Sequence, residues 1–452
     1  MGSALTAELA RRIGCEVLDA SSPGYDEARR LWNAGADRRP SAIVRCRSAA
    51  DVREAIAVAR GSGAGVSVRG GGHGVAGRAL RDGAVALDLS GMRAVAVDPK
   101  ARTARAEAGA TWAVFDEATA AHGLATPGGV ISTTGIAGLT LGGGFGYLSR
   151  QHGLACDNVL SFEAVTADGR EVRASASENT DLFWGLRGGG GFGLAAVTAI
   201  EFQIHPLREV TGGPVFFSAS DARRVLRAWR DGMLAAPDSL GSAALLATAP
   251  PAPFLPAALH GKVMLAVVAC STAAEKDAAQ DVARLHAGTA PAASLVARRP
   301  YVEQQRMLDP LAPPGRHHMW RSAFARTLDD GLVDALIGTA ESAPSPFTEV
   351  HLYGFGGAIG RTPAAATAFT HRDSPFLVGV FTAWQDTPAA AANLAWASER
   401  WSKLTASLSG QSYSNFEAQG TLAAMLGAGA ARLGALKKAW DPEGTFGPMP
   451  GA

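Results

Sequence analysis

The sequence predicts an α+β fold divided into two domains. At 452 residues the chain is longer than one ordinary hydrophobic core supports, which favours more than one domain. Helical and alternating apolar patterns both occur, without the regular strand–helix alternation of a doubly wound α/β sheet. No internal repeat with a period of about 20 to 50 residues is visible, which argues against a solenoid or a propeller.

The composition is typical of a globular protein that handles small molecules. Hydrophobic residues make up 47% and charged residues 18%, and the formal net charge is only +1. This balance creates no overall field that would attract nucleic acid or an anionic membrane. No run of about 18 apolar residues and no signal-peptide pattern is present. We therefore expect a small-molecule substrate, no nucleic-acid or membrane partner, and a monomer or homodimer.

The cysteines indicate a reducing compartment. They are widely spaced and form no Cys-x-x-Cys pair, which argues against a zinc site and against a disulfide framework. The four positions are Cys15, Cys46, Cys156 and Cys270. A cytoplasmic protein without a metal site is the expectation.

Short helices and strands are predicted over the first two hundred residues. Ser48 precedes the segment AADVREAIAVAR, whose Val52, Ile56 and Ala59 fall on one helical face. The strand GVSVR follows and ends at Arg69. Further patterns predict strands at 85–89, 94–98 and 103–109, a helix over 111–122, and a hairpin with its turn at 167–169.

The segment from 208 to 390 is predicted to be a separate domain. Glycine clusters vanish after Gly193 until Gly354, and most of the prolines fall within this segment. Strands are expected at KVMLAVVAC, TEVHLYGF and FLVGVFTAW. Beyond it, an amphipathic helix around LAWASERWSKLTASL and a closing helix that stops at Pro442 are predicted.

The stretch VSVRGGGHG, residues 66–74, is the most informative motif. Glycines let the backbone close tightly around a phosphate or a flat ring. The imidazole of His73 behind them belongs to the few side chains that attack an electrophilic carbon. Although 72–77 fits the pattern G-x-G-x-x-G, no helix pattern opens directly after it, so a Rossmann site is not expected. The motif predicts a cofactor clamp with His73 as its anchor.

Four motifs are spread in order over most of the chain. They are RGGGHGVAG, GLATPGGVISTTGIAGLTLGGGFGYLSRQHGLACDN, DLFWGLRGGGGFG and SYSNF. In order and spacing they resemble the FAD-linked oxidoreductases of the vanillyl-alcohol-oxidase and berberine-bridge-enzyme type, most of all the bacterial oxidases of secondary metabolism and of hydroxynicotine breakdown. The resemblance implies a two-part PCMH-type FAD-binding domain, 1–207 and the return segment 391–452. It also implies an inserted substrate domain, 208–390, built on an antiparallel sheet flanked by helices.

The resemblance implies a covalently attached flavin. In the family the histidine behind the glycine loop is bonded to the flavin 8α-methyl carbon, and His73 occupies that place. Many relatives add a second bond from a cysteine, but the corresponding stretch 130–134 contains none. We therefore expect FAD attached through His73 alone, with Cys156 as a small buried hydrophobe. A hydrogen bond within a tight loop is the alternative role of His73.

Further residues are implied to hold FAD. Backbone N–H groups of the first two glycine-rich blocks are implied to bind the pyrophosphate, with Gly142–Gly144 near the ring system and Val197 near the adenine. The implied set is Arg69, Gly70, Gly71, Gly72, His73, Gly74, Thr134, Gly135, Ala137, Gly138, Gly142, Gly143, Gly144, Val197, Tyr413 and Asn415. Tight turns and ordinary core packing are the alternative roles for some members.

Tyr413 and Asn415 are the implied catalytic residues. They fall where relatives carry Tyr-x-Asn on a strand that returns to the flavin. Such a tyrosine removes a hydroxyl or amine proton while hydride leaves carbon, provided that neighbours lower its pKa. An aromatic wall is the alternative role of Tyr413. The lone histidines of the middle segment, in 316–318 and at His351, are expected to be surface or structural residues.

The expected function is that of an FAD-dependent oxidase. Hydride would leave a C–H next to a hydroxyl or amine, or at a benzylic position, of a small and largely neutral molecule, and O2 would reoxidise the flavin with formation of H2O2. A tailoring enzyme for oxidative cyclisation or rearrangement and a flavin-binding protein without turnover are the alternatives. The last rests on the carboxyl terminus, DPEGTFGPMPGA, where Gly444 stands in place of an asparagine and a second Asn-x-Asn motif is missing.

Overall fold

The computed structural model describes residues 2–450, and its mixture of helices and antiparallel sheets confirms the α+β fold. In the first region the strands are β1 Val17–Leu18, β2 Ala42–Arg45, β3 Val66–Arg69, β4 Val85–Asp88, β5 Val95–Asp98, β6 Thr103–Glu107, β7 Leu124–Ala125, β8 Val159–Val165, β9 Glu171–Ser175, β10 Ala196–Gln203 and β11 His205–Pro206. The helices are α1 Gly2–Arg12, α2 Tyr25–Ala28, α3 Ala49–Gly61, α4 Trp112–Ala120, α5 Ile136–Leu141, α6 Ser149–His152 and α7 Thr180–Gly189.

The first sheet carries the glycine loop at the carboxyl end of its edge strand. Its order is β1-β2-β4-β3, and β2 and β3 both run parallel to β4. Helix α3 forms the crossover between β2 and β3 and begins, as predicted, behind Ser48, whose hydroxyl accepts a hydrogen bond of 3.2 Å from the Asp51 N–H. The predicted inner face, Val52, Ile56 and Ala59, is completely buried. One βαβ unit therefore positions the loop.

The second sheet is antiparallel and backs the first region. Its order is β5-β6-β10-β8-β9, while β7 and β11 form a separate pair. The predicted hairpin is confirmed by the antiparallel register of β8 and β9. Strand β10 follows the glycine-rich stretch 185–193 after two residues, so that stretch leads into a strand and not into a Rossmann helix.

An eight-stranded antiparallel sheet dominates the second region. Its strands are β12 Glu209–Ser218, β13 Leu240–Thr248, β14 Val263–Ser271, β15 Ala293–Ser294, β16 Ala297–Pro300, β17 His317–Ala325, β18 Glu349–Gly354 and β19 Phe376–Trp384, and the helices are α8 Ala219–Leu234, α9 Glu275–Arg284, α10 Tyr301–Arg306, α11 Asp330–Glu341 and α12 Ala358–Arg361. The strand order is β15-β12-β14-β13-β18-β19-β17, with β16 pairing β12. The predicted strand FLVGVFTAW matches β19 at both ends.

The two faces of the large sheet have different neighbours. One face packs on helices, with Trp229 of α8 and Val333 of α11 completely buried in the shared core. The opposite face packs on side chains of the first region, among them Phe145, Tyr147 and Leu154. The surface between the sheet and the first region is where the candidate site lies.

The last part of the chain contributes to both regions. Helix α13, Ala390–Leu404, ends with Leu404 in the core beneath the large sheet. Helices α14, Leu422–Leu426, and α15, Gly429–Trp440, bury Met425 and Leu433 in the core of the first region. The domain limits at 207/208 and 390/391 stay a prediction.

The expected strand at Tyr413 is wrong. Tyr413 precedes a single 3₁₀ turn, Ser414–Phe416, which closes when the Phe416 N–H donates to the Tyr413 carbonyl at 2.9 Å. The Tyr413 N–H donates to the Ser322 hydroxyl at 3.2 Å, a side-chain partner in place of a neighbouring strand.

Among residues 2–450, no helix combines the length and the apolar character that crossing a bilayer requires.

Candidate active site

A cavity of about 790 Å³ lies between the first region and the large sheet. Its lining comes from parts of 66–82, 129–147, 190–197 and 413–416, from the inner face of the large sheet and from the carboxyl terminus. Both glycine loops and the SYSNF motif, far apart in the sequence, therefore meet in one place. The volume falls within the range of about 300 to 1,000 Å³ that is usual for ligand sites.

The two glycine loops touch backbone to backbone. A Cβ added to Gly71 would lie 2.6 Å from the Gly135 nitrogen, and one added to Gly135 would lie 2.5 Å from the Gly71 nitrogen. Any side chain at either position forces the loops apart, because both obstacles are main-chain atoms. A Cβ at Gly74 or Gly138 would meet no protein atom within 4 Å. Both positions line the cavity, so the joined loops form a cradle with bare backbone towards it.

The ring of His73 is stacked and largely desolvated. It packs on the indole of Trp32 with ring centres 4.3 Å apart and planes 14° from parallel. Burial lowers the pKa of His73 to about 4, so its imidazole is neutral at physiological pH. The ring nitrogen Nε2 is buried without a hydrogen-bond partner. A neutral imidazole with an unengaged nitrogen is suited to act as a nucleophile.

Arg78 places a cation in the cavity without a salt bridge among residues 2–450, although the charge of Glu417 acts on it and partly opposes the effect of desolvation on its pKa. Its guanidinium donates only to the Ser414 carbonyl at 3.5 Å and to the Met425 sulfur at 3.9 Å, and lies 5.3 Å from the centre of the Phe192 ring. Desolvation lowers its pKa from the ordinary value. No ion pair of Arg78 occurs among residues 2–450, so an anionic ligand would relieve the cost of burying this charge.

The residues present fit FAD. A bare-backbone cradle and Arg78 suit a pyrophosphate, and His73 offers an unpartnered buried nitrogen. The charged groups of the lining carry an excess of positive charge that matches a diphosphate. They are Arg38, Arg78, Arg81, Arg316, Asp82 and Glu349.

Most residues implied by the family resemblance line the cavity. The members that do are Gly70, Gly71, Gly72, His73, Gly74, Thr134, Gly135, Ala137, Gly138, Val197, Tyr413 and Asn415. Arg69 does not, because its guanidinium donates to the Ala28 carbonyl instead. The stretch 142–144 also lies outside the lining and packs behind Tyr413 and Asn415.

The hydroxyl of Tyr413 is held by two N–H donors. The Asn415 side-chain amide donates to it at 2.8 Å and the backbone N–H of Gly144 at 3.1 Å. Complete burial raises the pKa of Tyr413, and these two donors oppose that shift by favouring the phenolate. Gly144 adopts φ +78°, and a Cβ at Gly142 would lie 2.1 Å from the Asn415 oxygen. The glycines of this block thus allow the backbone and Asn415 to reach the phenol.

A second polar group stands on the inner face of strand β18. His351 Nδ1 lies 2.7 Å from the Tyr353 hydroxyl, and its Nε2 lies 2.7 Å from the Glu349 carboxylate. All three side chains line the cavity. Burial, with Glu349 second, raises the pKa of Tyr353, so its phenol is neutral. The arrangement can pass a proton from Tyr353 through the imidazole to Glu349. Glu349 is the most exposed residue of the three.

Aromatic rings separate the two tyrosines. The Phe145 ring centre lies 4.9 Å from that of Tyr353 and 5.2 Å from that of Tyr413. Phe416 packs on both tyrosines and on Phe381 of β19. This part of the cavity therefore presents two phenols among aromatic rings.

The block GLACDN braces the loop behind Tyr413. Asn158 donates to the carbonyls of His152 and Leu154, both at 2.9 Å. Arg372 pairs with Asp157 at 2.7 Å, with both side chains nearly inaccessible. Cys156 is completely buried next to this pair, and burial raises the pKa of its thiol. Its side chain is not part of the cavity lining.

Comparison with known proteins agrees with this arrangement. A family model described as an FAD binding domain matches residues 40–175. An uncharacterized FAD-linked oxidoreductase of Bacillus subtilis, YgaK, is 27% identical over 95% of each chain. The (R)-6-hydroxynicotine oxidase of Paenarthrobacter nicotinovorans is 36% identical over 49% of this chain and 48% of its own.

Solved structures share the fold over the full length. The 6-hydroxy-D-nicotine oxidase of Arthrobacter nicotinovorans superimposes with a TM-score of 0.86 at 26% identity, covering 96% of each chain. A berberine-bridge-enzyme-like protein of Physcomitrella patens gives 0.89 at 24% identity, covering 99% of this chain and 98% of the other. The chain contains an FAD binding domain and is similar over its whole length to FAD-linked oxidoreductases, which supports the resemblance of its motifs to the vanillyl-alcohol-oxidase and berberine-bridge-enzyme type. It is an enzyme that uses FAD.

The atypical carboxyl terminus still completes the cavity. Phe446, Pro448, Met449 and Pro450 are part of the lining. The carboxylate of Asp441 accepts hydrogen bonds from the N–H groups of Thr445, at 2.7 Å, and Phe446, at 2.9 Å. The segment is thus held in place by a buried carboxylate although the expected asparagines are missing.

Three cavity residues were missed in the sequence. Trp32 and Arg78 belong to no motif, and Tyr353 sits in a segment predicted only as a strand. Alternation along TEVHLYGF placed Glu349, His351 and Tyr353 on one face of that strand, which was the one available signal for the polar group.

Proposed function

We propose that this enzyme is an oxidase of small, largely neutral alcohols, amines or benzylic compounds. Hydride leaves the carbon next to a hydroxyl or amine, or a benzylic carbon, and O2 is the final acceptor, giving H2O2. When bound, FAD supplies the hydride acceptor and the route of the electrons to O2. The observation that carries the proposal is the phenol of Tyr413 at the cavity wall, with two N–H donors on its oxygen.

Tyr413 serves as the base in this proposal. Two donors and no acceptor surround its oxygen among the described residues. Burial raises the pKa of Tyr413, and these donors work against that shift by stabilising the phenolate when the substrate's proton is removed. A substrate hydroxyl or amine placed at this oxygen loses its proton as hydride departs. Tyr353, which packs on Phe145 as Tyr413 does, binds a polar atom of the substrate and orients it.

The walls favour a neutral substrate with an apolar or aromatic body. Trp320 and Phe381 stack with ring centres 4.4 Å apart and line the sheet side, together with Leu245 and Val268. Such walls exclude water and bind flat rings. The relatives named as hydroxynicotine oxidases support hydroxynicotine as the first compound to test.

His73 holds the flavin covalently in this proposal, as a single attachment. Its neutral ring and free Nε2 support the role of nucleophile. Val130 and Ile131 line the cavity at the place where relatives carry a cysteine, and no cysteine is among the lining residues of the described chain.

Anaerobic bleaching of the flavin tests the function. The holoenzyme is mixed with hydroxynicotine and with panels of benzylic amines, benzylic alcohols, secondary alcohols and sugars, and flavin absorbance is followed. A substrate of the proposed kind bleaches the flavin without air and yields one H2O2 per turnover when air is admitted. Bleaching without H2O2 on aeration contradicts the oxidase and indicates a dehydrogenase. A product with the same loss of two hydrogens but a new ring or a rearranged skeleton, identified by NMR, indicates the tailoring enzyme instead.

A further inference from the structure

Three aromatic rings form one stack at the cavity wall. Trp32 lies in the middle, with the His73 ring centre 4.3 Å away on one side and the His318 ring centre 4.0 Å away on the other. Interplanar angles of 14° and 17° make both contacts parallel. All three residues line the cavity, although they come from a loop after α2, the glycine loop and strand β17. The stack therefore connects the glycine loop to the large sheet.

Backbone hydrogen bonds fix the position of Trp32. Its N–H donates to the Gly72 carbonyl at 3.1 Å, its carbonyl accepts from the Gly315 N–H at 3.1 Å, and its indole N–H donates to the Ala312 carbonyl at 2.9 Å. The neighbouring Asn33 repeats this bridge by donating to the Val75 carbonyl at 2.7 Å and accepting from the His318 N–H at 2.9 Å. The indole thus has one allowed orientation, and the His73 ring lies against it.

His318 is fixed as a neutral ring on the far side. Its Nδ1 accepts from the Trp320 indole N–H at 3.2 Å, which leaves the ring proton on Nε2, a buried atom without a partner. Desolvation, with Arg316 second, lowers the pKa of His318 to about 3. The His318 ring that backs the indole is therefore uncharged at neutral pH.

We propose that Trp32, backed by His318, is a positioning residue that holds the His73 ring in the plane and orientation needed for its covalent attachment to FAD. The inference rests on the proposed attachment through His73. Trp32 offers one flat surface to the imidazole and shields it from water. The stacking keeps the His73 ring in the orientation in which its nitrogen attacks the flavin carbon, and keeps the ring from rotating.

The attachment step balances as an oxidation of the cofactor methyl group. A C–N bond forms between a His73 ring nitrogen and the 8α carbon, and one C–H bond of the methyl group breaks. The proton of that C–H bond and the proton of the imidazole N–H go to solvent. The electron pair passes to the isoalloxazine ring and from there to O2, which is reduced to H2O2. No other oxidant is needed, and the oxidase already uses O2.

The test measures attachment and not turnover. Apoprotein from riboflavin-limited cells is incubated with FAD in air, and two quantities are followed: total FAD retained after desalting, and flavin fluorescence of the denatured band on an acidified gel. Trp32→Leu removes the flat surface, Trp32→Phe retains one, and His318→Leu removes the backing ring. Trp396→Leu, a half-buried tryptophan outside the cavity lining, is the matched control.

Trp32→Leu is expected to retain FAD and to attach it about 10- to 100-fold more slowly, the scale of a misplaced reacting group. Trp32→Phe and Trp396→Leu are expected to attach FAD close to the wild-type rate. Wild-type attachment in Trp32→Leu overturns the inference. If Trp32→Leu retains no FAD, His318→Leu decides: slower attachment at unchanged retention supports the inference, while a wild-type rate, or loss of FAD here too, overturns it. Wild-type protein without covalent FAD contradicts the proposed attachment itself, which is a separate outcome.

Discussion

The side-chain amide of Asn415 donates a hydrogen bond of 2.8 Å to the hydroxyl of Tyr413, two residues earlier in the same turn. Because the Gly144 N–H donates to the same oxygen at 3.1 Å, the phenol has two donors fixed by the fold. This pairing distinguishes Tyr413 from Tyr353, whose hydroxyl contacts a histidine nitrogen instead. The difference assigns separate roles to the two cavity tyrosines.

Tyr413→Phe removes only the hydroxyl and should slow flavin reduction by about 10²- to 10⁴-fold, the usual contribution of a positioned base. FAD content should not change, since the ring remains in place. Single-turnover reduction under anaerobic conditions measures this step apart from reoxidation. Tyr301→Phe is the matched control, because the Tyr301 hydroxyl is buried without a partner and lies outside the cavity lining. A loss below about tenfold, or about 1.4 kcal/mol of barrier, would favour the aromatic-wall role.

Tyr353→Phe should act on binding more than on rate. Loss of one neutral hydrogen bond to the substrate is worth about 0.5–1.5 kcal/mol, so the apparent dissociation constant should rise about 2- to 12-fold. The limiting rate of flavin reduction should change far less than in Tyr413→Phe. The substrate dependence of the single-turnover rate separates the two quantities. A larger loss of limiting rate in Tyr353→Phe than in Tyr413→Phe would move the base to Tyr353 and its partner His351.

Arg78→Met should weaken FAD without harming the apoprotein. A charge-assisted hydrogen bond to a phosphate is worth about 1.5–3 kcal/mol, which is about 10- to 150-fold in the dissociation constant. The measurement uses a His73→Ala background so that FAD binds reversibly, and titrates the quenching of FAD fluorescence. The apoprotein should be as stable as before or more stable, since an unpaired desolvated cation is lost. Unchanged affinity would remove Arg78 from the cofactor site.

Gly71→Ala should separate the two glycine loops. The new Cβ would meet the Gly135 nitrogen at 2.6 Å, and overpacking against main chain lowers the free energy of unfolding by about 1–3 kcal/mol. Gly74→Ala in the same loop is the control, because its Cβ meets nothing within 4 Å and should leave apoprotein stability unchanged. Denaturant unfolding of the two apoproteins compares them. Equal stability of both variants would show that the loops are not in contact.

Local signals were sufficient for much of the fold. Ser48 indicated the start of helix α3, because its side chain caps the helix. The run at 376–384 was predicted as a strand from its β-branched and aromatic residues, and it matches β19. The strand expected at Tyr413 failed since the Ser322 hydroxyl, distant in sequence, takes the N–H that a neighbouring strand would need. Tertiary partners of this kind leave no trace in a local pattern.

The part of the site formed by the glycine motifs could be predicted from the sequence, because glycine is required where two backbones touch. Gly71 and Gly135 touch backbone to backbone, and only residues without a side chain fit at that contact. Trp32 and His318 could not be found in this way, since stacking requires no particular spacing or neighbour. His318 and His351 were expected to be surface or structural residues, because nothing next to them in the sequence indicates a site. Both line the cavity.

Peptide mapping of the holoenzyme tests the central claim, that FAD is bound covalently and once through His73. The enzyme is precipitated with acid, digested and analysed by mass spectrometry. The account predicts a yellow precipitate, a His73 peptide heavier by the mass of FAD less two hydrogens, and no flavin on the peptides of Cys15, Cys46, Cys156 or Cys270. A colourless precipitate with yellow supernatant, or a flavin on the Cys156 peptide, would contradict it.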